Sequence, residues 1–175
     1  MSSRESTRTW AGMVALPLVS ALGLLISLAP VGLSATDMPM PDLVYLPIAV
    51  WLIRRPEAAP LLLVFAIGLA ADLLRGGPLG IGVLGLIGAG ELLRRMSEGL
   101  VRGPFMMEWL VAGGLFIGLL AFQCVALWLT FSPRPAFGLL WQHAAGTVLL
   151  YPLVAFALRP LTGPRGRASA ERSLA

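Results

Sequence analysis

Apolar residues fill this chain in long blocks, separated by short polar or proline-bearing stretches, with no alternation of the kind a strand would need. Residues 11–29 carry no charge over nineteen positions. At about 1.5 Å per helical residue that run spans a hydrocarbon core of about 30 Å. A basic start before an apolar run is also the pattern of a signal peptide, with Ser27-Leu28-Ala29 as its small-residue site. The run is too long for that and Pro30 follows the site poorly, so it reads as a first helix. Residues 30–42 hold three prolines and two acids and read as a loop.

The second block, residues 43–53, has only eleven positions, about 16 Å as a helix. It crosses a bilayer if Pro41 and Asp42 open the helix, if Arg54 and Arg55 snorkel, or if the membrane thins. A re-entrant segment is the competing reading. Residues 58–74 and 79–93 predict a third and a fourth helix, joined at the corner Arg75-Gly76-Gly77-Pro78. Beyond it, Glu91 precedes Arg94 and Arg95, and Glu98 precedes Arg102, at the spacing of helical ion pairs. The fourth helix is therefore expected to extend a turn or two into water. Residues 109–131 and 141–158 predict the fifth and sixth helices. Residues 1–10 form a polar N-terminus and 161–175 a basic tail expected to be disordered. The pattern predicts one domain: an all-α polytopic membrane protein of six transmembrane helices with a short second helix.

Composition agrees, with 57% hydrophobic residues, 13% charged residues and a mean hydropathy of +0.83, values outside the soluble range. The net charge of +4 comes from thirteen arginines and no lysine. They sit as pairs and singles beside apolar runs, which argues for orientation in a bilayer and against nucleic acid. On alternate loops, eleven fall on one side and only Arg75 and Arg134 on the other. By the positive-inside rule both termini are cytoplasmic, and the alternation requires the short second block to cross. The single cysteine, Cys124, excludes an internal disulfide and reads as a small core residue.

Asp72 lies four residues after Gly68 and three before Arg75, so on a helix the three share a face at the end of the third span. It reads either as an acid paired with Arg75, or as a carboxylate that organises the corner for a partner protein or carries a proton or cation. Gly76, Gly80 and Gly88 fall on a repeat of four, with Gly85 and Ala89 on the adjacent stripe, a pattern that lets another helix approach closely. Gly68, Asp72, Arg75, Gly76, Gly80, Gly85 and Gly88 are thus the candidate partner-interface or helix-packing residues. Gln142 and His143, at the head of the sixth helix, read as a wet or satisfied pair rather than ligands. The sequence holds no HExxH, GxSxG or Walker pattern and no metal-ligand cluster, and its acids fall near span ends. Neither an enzyme nor an ion pump is expected, and no catalytic, cofactor or metal residue.

The order of these features resembles the MreD family of rod shape-determining proteins. The residues that carry the likeness are Trp51-Leu52-Ile53-Arg54-Arg55-Pro56, Gly68-Leu69, Asp72-Leu73-Leu74, Gly76-Gly77 and Pro78-Leu79-Gly80. The resemblance implies a non-enzymatic scaffold of the bacterial inner membrane. Its partners would be an MreC-like single-span protein and, through it, an MreB-like actin filament and a RodA-like and penicillin-binding synthase pair. The family is also similar in fold to the substrate-binding subunits of vitamin transporters. That supplies the alternative of a small-molecule uptake component, with Ala11 and Ala15 as a docking pair. Outer loops offering little beyond Asp37, Asp42, Trp141, Gln142 and His143 disfavour a vitamin pocket.

Overall fold

A computed structural model describes residues 3–28, 40–76, 79–131 and 136–162. The elements are α1 (Ser3–Leu28), α2 (Tyr45–Arg54), a 3-10 turn (Pro56–Ala58), α3 (Leu61–Arg75), α4 (Ile81–Arg102), α5 (Phe105–Leu129), α6 (Phe137–Ala157) and the single turn α7 (Arg159–Thr162). No strand occurs among the described residues. Pro60 and Pro104, both extended, stand immediately before α3 and α5, where a missing N–H costs nothing. Helices α5 and α6 are long and apolar enough to cross a membrane, while residues 12–28 and α2 are shorter apolar helices.

The centre of the bundle is α2. All ten of its residues are buried, and it packs against α1, α4, α5 and α6 as well as the two short turns. A helix apolar on every side is buried either in lipid or in protein, and here neighbouring elements cover every one of its residues. Protein, rather than lipid, therefore covers the short second block, and neither snorkelling nor thinning is needed to accommodate it. Of the three ways the block could cross, snorkelling of Arg54 is ruled out, since its side chain is 3% exposed. Around α2 the core is filled by Leu16, Val64, Leu93, Leu100, Phe116 and Tyr151, with the Tyr45 and Phe116 rings 4.8 Å apart.

Successive elements reverse direction. Gly12 of α1 lies beside Ala58 and Trp51, and Gly23 beside Leu43. Asp42, at the head of α2, meets Thr147 of α6, and Arg54, at its foot, meets Ala155. The start of α1, the foot of α2 and α7 thus share one end of the bundle. On α1 the face of Gly12, Leu16, Ser20 and Gly23 turns inward, while Val14, Leu18, Leu22 and Leu25 are exposed.

Several boundaries differ from those the sequence predicts. Helix α1 starts at Ser3 and α5 at Phe105, while α4 runs on past its apolar block to Arg102, as the ion-pair spacing predicts. Its Arg95 reaches Glu91 at 3.0 Å and Arg94 lies 3.9 Å from the same side chain. Arg94 also donates to the carbonyls of Pro56 and Ala59, fastening α4 to the 3-10 turn. Residues 161 and 162, expected in a disordered tail, complete α7, where the Thr162 carbonyl accepts from Arg55 Nε at 2.8 Å. The rest of that tail, residues 163–175, and most of the loop at 30–42 lie outside the described residues.

Candidate functional site

Helix α3 ends because Gly76 takes the left-handed conformation (φ +69°), and α4 begins after Gly80, also left-handed (φ +94°). Only glycine adopts these angles without strain. Both belong to the turn, and neither continues a packing stripe down α4. The expected four-residue repeat is therefore corrected at its first two members.

Gly80 has no side chain to cap α4, and Asp72 supplies that function from the preceding helix. Its Oδ2 accepts the backbone N–H groups of Gly80 at 3.0 Å and Val83 at 3.2 Å. Helix N-termini hold unpaired N–H groups and partial positive charge, so a carboxylate is the natural occupant. The carboxylate lies so close to Gly82 that a Cβ there would collide with it. Gly68, one turn earlier on α3, faces Leu86 and Val83 and lets the two helices close together.

Arg75 does not pair with Asp72. It reaches Asp42 instead, with Nη2 3.0 Å from Oδ1 and Nη1 3.2 Å from Oδ2. Asp42 in turn caps α2, accepting from Val44 N and Tyr45 N, both at 3.0 Å, while its own N–H donates to Thr147 Oγ1. Burial pushes the Asp42 carboxyl up, but the charge and hydrogen bonds of Arg75 and the Tyr45 N–H outweigh it and hold the group below its ordinary value. At the same end, His143 Nδ1 lies 2.6 Å from the Met40 carbonyl, with its ring 5.6 Å from Phe116.

The remaining glycines lie elsewhere. Gly85 faces Leu119 and Phe122 of α5, while a Cβ on Gly88 would meet nothing within 4 Å. Together they border a groove of about 260 Å³ between α4 and α5, floored by Gly85, Gly88, Ala89 and Gly118 and walled by Leu84, Leu92, Leu115 and Phe122. Its lining is wholly apolar. The candidate residues thus divide into a corner stitched by Asp72, a separate Arg75–Asp42 link and an open groove.

Sequence reasoning missed a buried polar cluster at the opposite end. Glu108, fully buried in the first turn of α5, lies 3.4 Å from Arg54 and accepts the Tyr151 hydroxyl at 2.8 Å. Arg54 also donates to the Ala155 carbonyl at 2.9 Å. The available signal was the shortness of the second block, because an arginine closing an eleven-residue apolar run needs a partner inside the bundle. Glu108, just ahead of the longest apolar run, was the acid to consider. Cys124 is half-buried on α5.

Comparison with known families matches residues 7–159 to the family described as rod shape-determining protein MreD. No curated protein and no solved structure matches the chain.

Proposed function

The chain belongs to the MreD family, the rod shape-determining membrane proteins, and from that premise we propose that it is a non-enzymatic scaffold of the cell-elongation machinery in the bacterial inner membrane. In this reading it crosses the membrane six times with both termini cytoplasmic. It holds an MreC-like single-span partner and through it helps an MreB-like filament and a RodA-like and penicillin-binding synthase pair organise lateral peptidoglycan synthesis. The observation that carries the scaffold reading is where the charges go. Asp42, Asp72, Arg54 and Glu108 are each engaged with groups of neighbouring elements, the disposition of a rigid frame rather than of a reaction centre. A scaffold needs such a frame and an outer face left uncovered for its partner.

The test is purification of the tagged chain from its native membrane in mild detergent. The expected result is stoichiometric recovery of a single-span partner. Stoichiometric recovery of a vitamin or other small molecule in its place would overturn the scaffold reading. A reporter fused after residue 175 should be active only in the cytoplasm, and periplasmic activity would overturn the six-span topology.

A further inference from the structure

Resting on that scaffold reading, the geometry points to the α4–α5 groove as the seat of one transmembrane helix of another protein, a helix that continues past its apolar stretch and presents an acidic side chain to Arg95. The groove is continuous with a longer seam on α4. Gly85, Gly88, Leu92, Arg95, Gly99 and Arg102 recur at alternating intervals of three and four, the spacing at which one helix lies along another. All but Gly85 are exposed. The seam is apolar through Leu92 and polar beyond it, so its occupant must change character at the same level.

The floor is built for backbone contact. A Cβ added at Gly88 or Gly99 of α4, or at Gly114 or Gly118 of α5, would meet nothing within 4 Å. Glycine weakens a helix interior, and among helices in lipid its return is the close approach of a second backbone. Among the described residues nothing makes that approach at those four positions.

Charge selects the occupant. Two copies of this chain share one orientation in the membrane, so a two-fold contact along this seam would set Arg95 against Arg95 and Arg102 against Arg102. Glu91, which pairs with Arg95 at 3.0 Å, and Glu98 lie one position before Leu92 and Gly99, on the flank of the seam. Even so paired, the Arg95 side chain stays 73% exposed, so the seam presents arginine, which a different helix with an acidic side chain at that level complements. A small-molecule ligand is disfavoured because the groove holds no polar group to orient one.

The experiment compares recovery of the single-span partner by full-length wild type, Gly88→Leu, Gly118→Leu, Arg95→Glu and the α6 surface control Leu153→Phe. Because the two glycines face open space, the leucine variants should melt no lower than wild type. Both leucine variants should retain less than a tenth of the partner, Arg95→Glu should lose several-fold, and the control none. An acid-to-arginine change in the partner's flank should restore binding to Arg95→Glu. Gly88→Cys, oxidised in the membrane, should crosslink to cysteines placed along the partner's span, a readout that survives if a leucine variant fails to fold. Full partner recovery by folded leucine variants would overturn the site and leave the scaffold reading intact. So would crosslinking of Gly88→Cys only to a second copy, or a groove filled only by lipid while the partner crosslinks elsewhere. A wild-type protein that recovers no single-span partner would overturn the scaffold reading itself.

Discussion

Arg54 and Glu108 meet at 3.4 Å with 3% and 0% of their side chains exposed, joining the foot of α2 to the head of α5. The Tyr151 hydroxyl on the same carboxylate oxygen adds α6 to the joint. A buried charge is tolerated only while its partner remains. Glu108→Ala or Arg54→Ala is therefore expected to cost about 3–5 kcal/mol, read as loss of folded protein in detergent. The paired replacement Arg54→Met with Glu108→Leu should recover most of that loss. Single variants as stable as the pair would show that the joint contributes nothing.

Asp72 and Gly82 form a coupled pair of a different kind. Asp72→Ala removes the acceptor for two N–H groups at the head of α4, a change expected to cost about 1 kcal/mol, the usual worth of a helix cap. Gly82→Ala drives a methyl into the carboxylate and should be worse in wild type than in an Asp72→Ala background. Thermal melts of the four proteins check the sign of that coupling.

The glycines separate by backbone angle and by space. Gly76→Ala and Gly80→Ala force a side chain into the left-handed region and should each destabilise by about 1–2 kcal/mol. Gly88→Ala, helical and facing open space, should be stabilising by a few tenths up to about 1 kcal/mol. Detergent melting temperatures distinguish the two groups directly.

The Asp42–Arg75 link predicts acid sensitivity at the end of the bundle where α2 begins. Because the Asp42 carboxyl is held below its ordinary value of 3.8, its contribution is complete above that pH and is lost as pH falls through the folded-state value. Stability measured from pH 6 down to pH 3 should fall at the acid end. Asp42→Asn should be less stable at pH 6 and lose less on acidification. A variant whose acid limb matched wild type would remove Asp42 from the explanation.

Much of the frame was legible because apolar blocks and prolines act locally. The breaks at residues 54–60 and 103–104, and the corner at Gly76 to Gly80, lie close to where the blocks end. The partnerships were not legible, because they join residues far apart in the chain. Arg75 had an acid three residues back and took one thirty-three residues back instead. Pattern alone gave no sign of Asp72 capping the next helix. The four-residue glycine repeat was present in the sequence, but left-handed backbone at Gly76 and Gly80 divided it between a turn and a groove. Glu108 reads from the sequence only as an acid near a span end, and its pairing with Arg54 stayed hidden because the fifth helix begins earlier than its charge-free run.

The encased second helix has a consequence for how the protein is made. Ten residues are too few for a segment to partition into lipid unaided, and this one touches almost none when folded. It must enter as a passenger of its longer neighbours, dropping into place as α4, α5 and α6 close around it. Mutations in those later helices would then strand it at the membrane surface during synthesis, where the cell's proteases remove unfinished chains.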